Sequence, residues 1–192
     1  MSDQFSWYLA RAGGLVAWTA LTLSVLLGLL LAGRLLPSSL AAWNREVHKF
    51  LGGLATIFTG VHVAALVADN FVHFGWAEIF VPMTSEWRPG AVAWGIVAMY
   101  LLLAVELTSL AMRKLPRRLW RAVHQTSIPL FAAGTLHGFM AGTDASGATY
   151  MSVTLIGCAA VSVLAVARRV WRPQRAVFRD HPDAGSVFLI RR

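Results

Sequence analysis

Apolar residues fall into blocks of about 20 along this chain, each bounded by a short polar or basic segment. A block of that length crosses a hydrocarbon core of ~30 Å as an α-helix rising 1.5 Å per residue. The pattern predicts an all-α integral membrane helix bundle of about five transmembrane helices, at 13–33, 47–68, 91–112, 120–141 and 149–168. Residues 1–168 read as one membrane domain. Residues 169–192 read as a short basic tail with a small apolar patch, Val187-Phe188-Leu189-Ile190. The longest connection, 69–90, carries Phe71, Phe74, Trp76, Phe80 and Trp87, which suit a segment lying in the membrane interface.

Composition narrows the class further. The chain is 57% hydrophobic and 14% charged, whereas a soluble domain carries about a quarter charged residues. Mean hydropathy is +0.59. The single cysteine, Cys158, sits inside an apolar block and reads as a small hydrophobe, with no disulfide framework or thiolate metal site available. The start, Met1-Ser2-Asp3-Gln4, lacks the basic region of a cleavable signal, so the first block is expected to stay as a helix.

The net charge of +8 does not point to nucleic acid, because the basic residues are sorted by side. The loop 34–46 and the start of the next span hold Arg34, Arg45 and Lys49. The loop 113–121 holds Arg113, Lys114, Arg117, Arg118 and Arg121, and the end of the chain holds Arg168, Arg169, Arg172, Arg175, Arg179, Arg191 and Arg192. These are 15 of the 17 basic residues, and the opposite side keeps only Arg11 and Arg88. The positive-inside rule makes the rich side cytoplasmic. The expectation is a multi-pass protein of the cell (inner) membrane, N-terminus outside and C-terminus cytoplasmic, which an odd number of spans fits.

The chemistry lies in the histidines. Of six, four fall in two spans: His48 and His62 in the second, His124 and His137 in the fourth. Spacings of 14 and 13 residues separate each pair by ~20 Å along its helix. Both helices run outward, so His48 can face His124 and His62 can face His137. Each facing pair can offer two imidazoles to one flat macrocycle, as two haems stacked in a bundle need. Fourteen residues bring His48 and His62 within ~40° of one face, but thirteen leave His124 and His137 ~140° apart on an ideal helix. Pro129 and Gly134 lie between them, and a helix distorted there could restore the alignment. One intramembrane histidine is as readily explained by a hydrogen bond across a helix interface. Two pairs at matched depth favour a cofactor. Zinc fits less well, since no carboxylate or thiolate accompanies the pairs.

The set Thr108-Ser109, Arg113, Trp120, His124 and His137, preceded by His48 and His62, resembles the ferric-reductase-like transmembrane domain. That superfamily includes ferric reductases, NADPH oxidases and the haem-binding membrane subunit of bacterial methionine-sulfoxide reductase systems. The resemblance covers roughly residues 8–168. It implies two bis-histidine haems b, the inner on His48 and His124 and the outer on His62 and His137. It also implies single-electron transfer across the membrane, from a cytoplasmic or membrane donor (a flavoprotein or quinol) to an external or periplasmic acceptor, an FMN-binding protein or a partner reductase.

Other residues follow with it. Arg45 and Arg121 each precede an inner histidine by about one turn and are candidates for haem propionates, with topology as the competing reading. Arg11 opens the first span in a setting, Leu9-Ala10-Arg11-Ala12, that resembles the outer-haem arginine of NADPH oxidases. Glu106 is the one carboxylate deep in a span, a functional candidate or the partner of a loop arginine. Phe131, between the two levels, reads as aromatic core, and His73 and His181 as solvated. Two departures stand out: about 24 residues follow the last span without a glycine-rich phosphate-binding turn, and Leu66 occupies a position that is histidine in superoxide-making oxidases. The chain is therefore expected to need a redox partner. A haem-dependent sensor or assembly subunit, and a proton- or ion-conducting bundle around Glu106, are the competing functions.

Overall fold

The computed structural model describes residues 3–69 and 74–177, with backbone alone for residues 3 and 171–177. Phe71, His73, His181 and the patch 187–190 lie outside the described residues. These residues form seven helices in order: α1 Asp3–Gly33, α2 Ser38–Val67, α3 Trp76–Phe80, α4 Pro89–Leu110, α5 Arg117–Gln125, α6 Ser127–Ala141 and α7 Ala148–Val177. No strand occurs among the described residues. The protein is a multi-pass membrane helix bundle.

Among the described residues four helical segments are long and apolar enough to cross a membrane: Gln4–Gly33, Ser38–Val67, Pro89–Leu110 and Ala148–Val170. The fourth of the five expected spans, 120–141, is instead two helices, α5 and α6, meeting at Thr126. The cause is local. Pro129 has no N–H to give to the Gln125 carbonyl, so the helix is interrupted where that bond would form. The Thr126 amide tightens back onto the Val123 carbonyl (3.0 Å) and Leu130 resumes the ladder onto Thr126 (2.9 Å). Arg117, Arg118 and Arg121, expected in a loop, are exposed on α5. Prolines also mark other starts: Pro37 precedes α2, and Pro89 opens α4, where a missing N–H costs nothing.

The surface is the reverse of a soluble protein's. Ile57 is 64% exposed, Leu107 61% and Ile156 69%, an arrangement suited to lipid rather than water. Six threonines within the spans bond to their own helix. Thr19, Thr22, Thr56, Thr59, Thr108 and Thr135 each donate to the carbonyl four residues back, which removes their need for water.

α1 packs antiparallel along α2, and α4 packs along α6; α1 also meets α6 and α7. A core of Val25, Leu29, Phe131 and Val161 fills the space between α1, α6 and α7, with Trp18, Leu21 and Cys158 against it. The indole of Trp18 donates to Thr135 Oγ1 across the α1–α6 contact (3.0 Å). Phe131 is thus a core residue, as the sequence suggested, and Cys158 packs as the expected small hydrophobe.

Candidate cofactor site between two helix pairs

Two histidines of α2 face one histidine each on α5 and α6. The rings of His48 and His124 have centroids 5.9 Å apart and planes inclined at 75°. The rings of His62 and His137 have centroids 6.1 Å apart and planes inclined at 76°. The two sites are near copies, although the spacings are 14 on one side and 13 on the other. The interruption at Thr126 lies between His124 and His137, which an unbroken ideal helix would leave ~140° apart. Neither α5 nor α6 packs closely on α2, so the histidine rings look across a gap between the α1–α2 and α4–α6 pairs.

The orientation of three rings is fixed from behind. His62 Nδ1 lies 2.6 Å from the Ala10 carbonyl, His137 Nδ1 2.8 Å from the Ala91 carbonyl, and His48 Nδ1 2.8 Å from the Ser24 carbonyl. A carbonyl oxygen only accepts, so in each ring Nδ1 carries the proton and donates. Nε2 is then the unprotonated nitrogen, with its lone pair available to a metal. Ser24 grips His48 further: its Oγ is 3.0 Å from Nδ1 and donates to the His48 carbonyl at 3.1 Å. His124 is held differently, with Nδ1 3.4 Å from Ser109 Oγ and its ring stacked on Trp120 at 5.1 Å. Trp120 Nε1 is buried and has no partner, an orphan donor beside the pair.

The other singled-out residues fall into place around this gap. Arg11 lies within α1 rather than at its opening, and makes a two-pronged ion pair with Asp144. Asp144, between α6 and α7, was not expected as its partner. Arg45 and Arg121 are exposed one turn before His48 and His124. Arg88 donates to the Met140 carbonyl at the end of α6 (2.7 Å). The Glu106 carboxylate faces Gly52, and an added Cβ there would lie 3.2 Å from Oε2. Among the described residues Glu106 forms no ion pair, so of its two readings the pairing with a loop arginine is not seen. The accepting carbonyls of Ala10, Ser24 and Ala91 were missed from sequence, because a backbone group has no residue signature.

A family model, the ferric reductase like transmembrane component, matches residues 13–135, more than half of the chain. The chain belongs to the ferric-reductase-like transmembrane family. The match takes in His48, His62 and His124 and ends just before His137. No curated protein and no solved structure matches the chain.

The family implies haem, and the residues present fit it. A metal–imidazole bond of about 2 Å on each side, with the ring centre about 1.1 Å beyond the nitrogen, puts two axial rings roughly 6 Å apart, centre to centre. Both pairs stand at that separation. Among the described residues no third His, Cys, Asp or Glu joins either pair as a metal cluster. Two nitrogens fall short of the four ligands of a zinc site, whereas they would suit a haem iron, held by His48 with His124 and by His62 with His137.

Proposed function

We propose that this chain conducts single electrons across the membrane through two haems b, the inner on His48 and His124 and the outer on His62 and His137. The observation that carries the reading is the duplication: two facing imidazole pairs of equal separation, 5.9 and 6.1 Å, at two depths of one bundle. When bound, haem b supplies a one-electron iron couple whose potential depends on its axial ligands and surroundings.

The protein's own part is positioning and insulation. The carbonyls of Ala10, Ser24 and Ala91 hold three imidazoles with Nε2 aimed into the gap. The apolar helices keep water out, which limits reorganisation when charge moves. The two levels, ~20 Å apart along α2, divide the crossing between the two leaflets, so neither serves both faces. The arginine-rich end is cytoplasmic by the positive-inside rule and receives electrons from a flavoprotein or quinol. The opposite end, carrying Arg11 and Arg88, delivers them to an external acceptor or periplasmic partner.

Reconstitution tests this. With the basic face inward and an enclosed donor, liposomes should reduce an impermeant external acceptor. A His62→Ala variant should stop that transfer while the inner haem is still reduced. Undiminished external reduction in that variant would contradict the proposed route.

A further inference from the structure

Three glycines stand where a side chain would push an imidazole away from the carbonyl that holds it. In an α-helix the carbonyl of residue i accepts from the amide of i+4, and its second lone pair stays available. The side chain of i+4 normally covers that lone pair, because helical Cβ atoms tilt towards the N-terminus and lie over the preceding turn. Here position i+4 is glycine each time: Ala10 is followed by Gly14, Ser24 by Gly28 and Ala91 by Gly95. A Cβ on Gly14 would lie 3.1 Å from His62 Nδ1, on Gly28 3.2 Å from His48 Cε1, and on Gly95 2.7 Å from His137 Nδ1. The two seats on α1 are 14 residues apart, the spacing of His48 and His62 on the antiparallel α2.

Small residues four apart usually let two helix backbones approach. Gly13 does that, since its added Cβ would meet the His62 backbone. At Gly14, Gly28 and Gly95 the neighbour is an imidazole ring. His124 has no such seat and leans on Ser109 and Trp120.

We propose that Gly14, Gly28 and Gly95 are positioning residues that admit His62, His48 and His137 to a shared helix carbonyl and so set the donor strength of these imidazoles. This rests on the haem reading above. A Nδ1–H bonded to a carbonyl makes Nε2 a more basic ligand, which favours ferric iron and lowers the midpoint potential. An added methyl lengthens that bond, weakens the ligand and raises the potential of one haem only.

The test is a spectroscopic redox titration of the haem-loaded full chain carrying Gly14→Ala, Gly28→Ala, Gly95→Ala or Gly60→Ala. Gly60 is an exposed α2 glycine with open space around it, so its variant controls for a general helix effect. Gly14→Ala and Gly95→Ala should raise the midpoint of the component that His62→Ala removes. Gly28→Ala should raise the other, and Gly60→Ala neither. Gly95→Ala, with the closest approach, should shift most or lose its component outright, while Gly14→Ala and Gly28→Ala need only small ring movements and keep theirs. Unchanged midpoints in both of these variants, or equal shifts in all four, overturn the proposal. A wild-type protein without haem would instead defeat the underlying reading, so the two failures are distinct.

Discussion

Arg11 of α1 and Asp144 of the α6–α7 connection close the arginine-poor end of the bundle with a two-pronged ion pair. Arg11 follows Ala10, whose carbonyl holds His62, and Asp144 follows the helix that carries His137. Arg88 grips the Met140 carbonyl close by. The two arginines of this end therefore both hold the segment 140–144, just after the helix that carries His137.

The Arg11 and Asp144 side chains are 35% and 30% exposed, so solvent screens the pair, and its contribution is at most about 1 kcal/mol. Asp144→Asn should lower the thermal midpoint in detergent by a few degrees. Combined with Arg11→Gln it should cost less than the sum of the two single changes. Strictly additive losses would show that the two residues do not act together.

Pairing by depth gives a second expectation. Replacing His48 or His124 with alanine should remove the same spectral component, and replacing His62 or His137 the other. Loss of one imidazole leaves its partner unable to fill both axial positions. Bleaching of a single component by both His48→Ala and His62→Ala would mean that the rings facing each other at 5.9 and 6.1 Å do not share a cofactor.

The helical class, the membrane setting and the four central histidines were legible because each leaves a pattern in residue type: apolar blocks, sided arginines, and matched 14 and 13 spacings. The misfit of the 13-residue spacing was legible too, with Pro129 as its remedy, although the break itself falls at Thr126. The setting of Arg11 resembles that of the outer-haem arginine of NADPH oxidases, but its pairing with Asp144 depends on a contact across 133 residues that no local pattern encodes. The carbonyl seats stayed hidden for a related reason. Ala10-x-x-x-Gly14 reads as ordinary helix packing until the neighbour of the glycine is known to be an imidazole.

The break at Thr126 carries a third expectation. Pro129→Ala restores a donor for the Gln125 carbonyl and lets α5 and α6 run on as one helix. An unbroken helix turns His137 ~140° away from the face of His124, so one of the two components should be lost or displaced. Retention of both components with wild-type spectra would show that the alignment does not depend on the proline.

On the proposed reading, each histidine pair holds one haem. This is tested most directly by measuring protohaem per chain in the purified, folded protein, alongside a reduced-minus-oxidised spectrum. The expected ratio is near two with low-spin b-type bands, falling to near one in His62→Ala and in His48→Ala, and to none in the double variant. A folded, colourless protein, or a haem content unaffected by these substitutions, would contradict it.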